Sequence, residues 1–179
     1  MKLVIASDIH GSAYWCGKLM DEIEREAPDA VVLLGDLLYH GPRNDLPRGY
    51  APKEVAVMLN TLADSVVAVR GNCDAEVDQM VLDFPMMADY ALIADGGFQM
   101  LCTHGHLPSP DRVPALPQGG AILSGHTHVK VNELLDTEMP DGSVLHVGRA
   151  VNPGSVSIPK DGSNSFAVYQ NGEFELRDL

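Results

Sequence analysis

Five apolar runs in this chain each end in side chains able to bind a divalent cation. Residues 3–6 lead to Asp8 and His10, 31–34 to Asp36, 66–69 to Asn72, 100–102 to His104, and 122–123 to His126 and His128. Read as buried strands, these runs would deliver two carboxylates, one amide and four imidazoles to one edge of a sheet. Asp8-x-His10 sets two donors at alternate positions of an extended segment. Asp36 follows a glycine that permits close backbone approach, and its two oxygens suit it to bridge a pair of ions. Asn72 adds a neutral oxygen. Two cations about 3.5–4 Å apart lower the pKa of a shared water, orient an anionic ester and stabilise the charge of an in-line displacement. The mixed N/O set fits Mn²⁺, Fe²⁺, Zn²⁺ or Co²⁺ better than Mg²⁺ or Ca²⁺. No thiolate is demanded, which removes one argument for structural zinc.

The elements that must hold these donors can be read from periodicity. A strand is expected at Lys2–Ala6, and then a helix at Ala13–Glu26, N-capped by Ser12 and stopped by Pro28. Its buried stripe would be Trp15, Leu19, Ile23 and Ala27. The positive end of that helix is expected to face the donors and favour phosphate. A strand at 30–34, a helix opening at Pro52 with Val55, Met58, Leu59 and Leu62 inward, and a strand at 65–69 follow. Asp74 is expected to N-cap a third helix with Val77, Met80, Val81 and Phe84 on one face. The opening half therefore reads βαβαβα.

The second half reads as hairpins. Residues 90–94 and Phe98–Thr103 flank Asp95-Gly96-Gly97, and 144–147 follows the turn Pro140-Asp141-Gly142. Ser165–Gln170 and residues 173–177 flank Asn171-Gly172. The fold class expected is α/β: a four-layer α/β/β/α sandwich of two mixed sheets, in a single domain over 1–179. Two long loops, 40–50 with Arg43 and Arg48 and the proline-rich 107–118, read as functional rims.

Composition narrows the partners. The chain has 179 residues and a net charge of −13. That charge argues against a long nucleic acid, for want of a basic stripe, and against an anionic membrane. An anionic substrate could still enter where bound metal reverses the local field. Cys16, Cys73 and Cys102 are odd in number and scattered, as in a reducing cytoplasm. With no signal-peptide pattern and no apolar run near the membrane-spanning length of about 20 residues, a soluble cytoplasmic protein is expected.

The ordered motifs Asp8-x-His10, Gly35-Asp36, Gly71-Asn72-Cys73-Asp74, Thr103-His104-Gly105-His106 and Gly125-His126-Thr127-His128 resemble those of the calcineurin-like metallophosphoesterases. Residues 40–44, 69–74 and 152–160 extend the likeness toward the bacterial YfcE-type phosphodiesterase branch. The resemblance implies a two-metal phosphodiesterase, commonly Mn²⁺-dependent, using metal-activated hydroxide. It implies one ion held by Asp8, His10, Asp36 and His128 and another by Asp36, Asn72, His104 and His126. His10, Asn72 and His104 are the candidate catalytic residues among these ligands. Arg43, Arg70, Cys73 and His106 are candidate phosphate contacts, with solvated arginines and ordinary loop histidines as the plain alternatives. Homo-oligomer formation is suggested by a similar family member.

Two departures matter. Many relatives carry histidine at the position of Cys73, where it is thought to assist the departing oxygen, and a thiol cannot act as an imidazolium does. The YfcE-type branch resembles this chain in carrying cysteine there, which favours diesters. Residues 129–150 are also longer and more acidic than expected of that branch. Two alternatives stand beside the phosphodiesterase: a phosphomonoesterase, and a non-catalytic interaction scaffold of the kind a retromer subunit of similar fold provides.

Overall fold

The computed structural model describes residues 1–107, 119–138 and 144–179. The elements are β1 (Lys2–Ala6), α1 (Ala13–Glu26), β2 (Ala30–Leu33), α2 (Pro52–Asn60), β3 (Val66–Ala68), α3 (Glu76–Gln79), β4 (Tyr90–Asp95), β5 (Phe98–Thr103), β6 (Gly120–Leu123), β7 (Lys130–Glu138), β8 (Val144–Pro153), β9 (Ser165–Gln170) and β10 (Glu173–Asp178), with a 3₁₀ turn at Ala63–Ser65. They form an α/β fold with two five-stranded mixed sheets, ordered β10-β9-β1-β2-β3 and β4-β5-β6-β8-β7. β1, β2 and β3 run parallel, as do β5, β6 and β8.

Side-chain alternation explains the layering. Successive residues of a strand point to opposite faces, and both faces of the central strands are covered. Leu3, Ile5, Val32, Ala167 and Tyr169 face Met100, Cys102, Ala121, Leu123 and Val151 of the second sheet. Val4, Ala6, Val31, Leu33, Phe166 and Val168 face Leu19 and Ile23 of α1 and Val55 and Leu59 of α2. Strands buried on both faces read as continuous apolar runs, which is why they were legible. No described residue forms the expected fourth, helical layer. The loop expected at 107–118, from 108 onward, and the turn expected at 140–142 lie outside the described residues. No described helix is long and apolar enough to cross a membrane.

Several local expectations change. The buried stripe of α1 is Cys16, Leu19 and Ile23, while Ala27 is exposed and closes the helix in left-handed conformation (φ 44°). α3 is a four-residue turn, and Val77, Met80 and Val81 lie on the surface rather than on a buried face. Asp74 caps no helix; its carboxylate turns inward to the backbone N–H groups of Asp36 and Leu37 in the loop after β2 and of Gly71 in its own loop. The start of α1 is not an open anion seat, because Ala13 N–H donates to Gly49 O and Trp15 N–H to Ser12 Oγ. β7, unexpected from sequence, pairs antiparallel with a β8 that extends well beyond residues 144–147.

Candidate metal centre

Every candidate donor lies in a loop leaving the carboxyl end of a strand. Asp8 and His10 follow β1, Asp36 follows β2, Asn72 follows β3, His104 follows β5, and His126 and His128 follow β6. Asp8, His10, Asp36, His126 and His128 all adopt left-handed backbone, with φ between 48° and 67°. Each such residue costs on the order of 1 kcal/mol and persists only where its surroundings over-determine it. For Asp8 the surroundings are plain. Its N–H donates to Gly35 O, and its carbonyl accepts from Ser155 Oγ at 2.9 Å and Ser157 Oγ at 3.2 Å.

Close approach of two loops fixes Asp36. A Cβ on Gly71 would lie 2.0 Å from Asp36 Oδ1, so only glycine lets the β3 loop pass. Asp36 Oδ1 accepts from Cys73 N–H at 2.8 Å, leaving Oδ2 to face the centre.

Three imidazoles are oriented alike. His10 Nδ1–H donates to Tyr39 O (2.9 Å), His104 Nδ1–H to Leu34 O (2.6 Å) and His128 Nδ1–H to Ile158 O (2.5 Å). Such a bond to the far nitrogen selects the tautomer and aims Nε2 into the site, as at histidine metal ligands. The bond from His104 to Leu34 also ties the second sheet to the first.

The Nε2 and carboxylate atoms then converge. Asp8 Oδ1 lies 3.6 Å from His10 Nε2 and 3.2 Å from His128 Nε2, and the latter two are 3.3 Å apart. Asp36 Oδ2 lies 3.7 Å from His10 Nε2 and 3.5 Å from His104 Nε2. Asn72 Oδ1 lies 3.2 Å from His104 Nε2. Donors about 2.1 Å from a common ion stand roughly 3.0–3.5 Å from one another. Asp36 Oδ2 is shared by both groups. His126 donates its N–H to Asp8 Oδ2 (3.0 Å) and sets its ring 5.1 Å from that of His104, on the side of the second group.

The residues present fit a pair of cations on chemical grounds. Asp8 Oδ1 is buried and accepts no hydrogen bond among the described residues. With the three Nδ1 protons committed to carbonyls, the facing Nε2 and oxygen atoms present lone pairs to one another. Such an arrangement calls for positive charge between them.

Proton affinities carry the same message. Burial opposes charge on Asp8, yet contacts with His10 and His128 hold its carboxyl far below the usual range. Burial likewise opposes charge on Asp36, and His104 overrides it, again lowering the pKa. Burial would lower His104, but the Asp36 and Asp8 carboxylates raise it to about 9, and Asp8 raises His10 in the same way. In the second group His126 is lowered, chiefly by burial and then by His104.

A cleft of about 440 Å³ opens over these atoms, with Arg43, Asn44, Thr127 and Lys160 on its rim. Cys73 also lines it, with Sγ within 4.8 Å of donor atoms on His10 and Asp36. Burial and then the Asp36 charge push that thiol up to about 12, so it is protonated at neutral pH. Arg70 does not line the cleft; its guanidinium pairs with Asp89 at 2.7 Å. The His106 ring lies tilted beside that of His104, centroids 5.3 Å apart, and its Nδ1 has no described partner. Lys160, Ser155 and Ser157 fall within the 152–160 motif, but the sequence suggests no role for them, and Asp74 reads there as an N-cap. A cluster of serines and a lysine in a loop carries no periodic signal. His146 lies in β8, where its side chain is outside the described residues.

Comparison with known proteins gives the family and the fold. Residues 1–172 match the model of the calcineurin-like phosphoesterase superfamily domain. The phosphodiesterase YfcE of Escherichia coli (strain K12) is 47% identical over 163 residues, which span 91% of this chain and 83% of that protein. The solved structure of YfcE, a phosphoesterase from E. coli, superposes with a TM-score of 0.86 at 44% identity, covering 96% of this chain and 89% of that one. An archaeal phosphodiesterase shares the fold, with a TM-score of 0.64 at 18% identity and full coverage of both chains.

Proposed function

The chain belongs to the calcineurin-like phosphoesterase superfamily, and we propose that it is a dinuclear metal-dependent phosphodiesterase acting on a small or exposed diester. The observation that carries this reading is the convergence of carboxylate, amide and imidazole donor atoms on two adjoining points that share Asp36 Oδ2. Asp8, His10, Asp36 and His128 would hold one ion, and Asp36, Asn72, His104 and His126 the other. Mn²⁺ is the ion proposed, with Fe²⁺, Zn²⁺ and Co²⁺ compatible with the same N/O set. Bound there, the pair would supply Lewis acidity toward a phosphoryl oxygen and a lowered pKa for water, so that hydroxide is the nucleophile.

The chain's own residues do the positioning. Backbone carbonyls of Tyr39, Leu34 and Ile158 keep His10, His104 and His128 in one tautomer and one orientation, so no reorganisation accompanies the reaction. Arg43 and Lys160 on the cleft rim draw in the anion that the net charge of −13 would otherwise repel. Cys73, protonated, offers only a weak donor and no efficient general acid, which favours diesters with good leaving groups over monoesters. The name of the E. coli relative, a phosphodiesterase, supports the same choice.

The acidic surface weighs against long nucleic acid and anionic membrane. The three cysteines are free, as suits the cytoplasm proposed for it. The test is hydrolysis of bis(4-nitrophenyl) phosphate and 4-nitrophenyl phosphate after chelation and after Mn²⁺ is restored. Diester hydrolysis that chelation removes and Mn²⁺ restores is expected. Hydrolysis of neither ester at any metal load would favour the interaction scaffold, and preference for the monoester would favour a phosphomonoesterase.

A further inference from the structure

Beside the metal cleft runs a second, larger depression of about 630 Å³ between α2 and the α3 turn. Pro52, Ala56 and Val57 form one wall, Ala75, Val77 and Val81 the other, and the buried Leu38 lies at its floor. Tyr39, Tyr50 and Cys73 stand at the end nearer the metal donors. At the other end Asn60 ties the walls together, donating to Val81 O at 2.9 Å and accepting from Asp83 N–H at 3.0 Å. Residues 52 to 60 of a helix span about 12 Å, so the trough is roughly as long as two fused aromatic rings with their linking atoms.

Apart from Lys53, the exposed part of its lining is mainly apolar. Val57 is 70% exposed, Val77 62% and Tyr39 42%. The polar groups on the walls are already engaged within the protein: Asn60 as above, and Asp78 Oδ2 with Ala75 N–H at 2.8 Å. Lys53 is the one cation on the lining. A depression of this volume, apolar with few polar groups, has the character of a small-molecule site.

Continuity decides what would fill it. Cys73 lines both the trough and the metal cleft, and Tyr39, whose carbonyl orients His10, stands at the junction. A molecule whose phosphoryl group sits over the donors therefore has one of its ester arms at the mouth of the trough. Building on the phosphodiesterase reading above, we infer that this trough is the subsite for an aryl or similarly apolar ester arm of the substrate, and so selects diesters by that arm. Tyr39 and Tyr50 would give aromatic contact to such a group at the inner end, and Val57, Val77 and Val81 apolar contact along the walls. Lys53 adds a positive charge suited to an anionic ester.

The test uses one-armed phosphonates, so that only one group can occupy the trough. Affinities of the Mn²⁺-loaded protein for methylphosphonate and 2-naphthylphosphonate are measured by calorimetry, in the wild type and in a Val57→Glu/Val77→Glu double variant. Both valines are exposed and outside the metal-binding set, so the variant is expected to fold. Burying one ring face predicts a naphthyl preference of about tenfold or more in the wild type. The double variant should abolish that preference and leave methylphosphonate affinity unchanged. Equal affinities in the wild type would overturn the trough assignment while leaving the metal cleft standing. Binding of neither phosphonate would overturn both readings. Sedimentation velocity guards against a different occupant. A dimer that the double variant dissociates, with the naphthyl preference intact, would assign the surface to a second copy and overturn the inference.

Discussion

Asp74 holds Asp36 by its backbone: Asp74 Oδ2 accepts the Asp36 N–H at 2.7 Å. The same oxygen accepts Gly71 N–H at 2.7 Å, and Oδ1 accepts Leu37 N–H at 2.9 Å, so one buried carboxylate joins the loops after β2 and β3. Asp74 lies behind the donors, and both the Asp36 carboxylate proposed to bridge the ions and the glycine that accommodates it are tied to it.

Asp74→Asn would turn an NH₂ group toward at least one of those N–H donors. Metal affinity is expected to fall by about 10–100-fold, the usual effect of losing a partner behind a ligand. Stability should drop by about 1–3 kcal/mol for the unsatisfied donor. Metal titration and thermal melts of the variant read the two effects separately. Unchanged metal affinity would show that Asp36 is held by other means.

The pH dependence of the metal-free protein follows from His104. Its folded pKa, about 9, is above the ordinary value of 6.5, held there by the Asp36 and Asp8 carboxylates against the opposing effect of burial. A group raised on folding contributes stability that is fully present below 6.5 and is lost as pH rises through about 9. The melting temperature of metal-free protein should therefore decline across that window. Asp8 and Asp36 act oppositely: lowered on folding, they contribute above the ordinary value of 3.8, and that contribution is lost on strong acidification. Since cations compete with the same protons, Mn²⁺ affinity should rise between pH 6.5 and 9. Calorimetric melts and metal titrations at several pH values check both signs, and a flat melting profile across the window would contradict them.

Cys73→His would place an imidazole beside the donor cluster. The native thiol is held protonated by burial and by Asp36, so it supplies little general acid. An added imidazole should raise turnover of diesters with poor leaving groups by at least about tenfold, with little change for 4-nitrophenyl esters. Rates over a series of leaving groups give a slope. A slope identical to that of the wild type would remove Cys73 from the account of diester preference.

The reach of the sequence can be judged from particular residues. β1 and β2 were legible because both their faces are covered, and the donors after them because they follow apolar runs at once. β7 escaped because it is an edge strand whose Glu133, Leu134 and Asp136 are exposed, which erases any alternation. The third helix is present but short, and of its expected face only Phe84 is buried, while Val77, Met80 and Val81 follow helical spacing and face solvent. Asp74 has the sequence habits of an N-cap, and only the approach of two distant loops shows that it binds Asp36 instead. Arg70 reads as an anion clamp from its place beside Gly71, but Asp89, nineteen residues onward, engages it.

Asp36→Asn tests the bridge within solution chemistry. The amide keeps one oxygen and loses the charge shared by the two donor groups. Bound Mn²⁺ should fall from two ions per chain to one or none, and diester turnover by about 10²-fold or more if both ions serve the reaction. The variant's melting temperature, taken without metal, reports whether the chain still folds. Full metal content with full activity would remove Asp36 from the bridging role.

The most direct measurement is anomalous diffraction from crystals of the protein soaked in Mn²⁺. Two peaks about 3.5–4 Å apart are predicted, flanking Asp36 Oδ2, one against Asp8, His10 and His128 and the other against Asn72, His104 and His126. A single peak, or none, at full Mn²⁺ load would contradict the dinuclear centre.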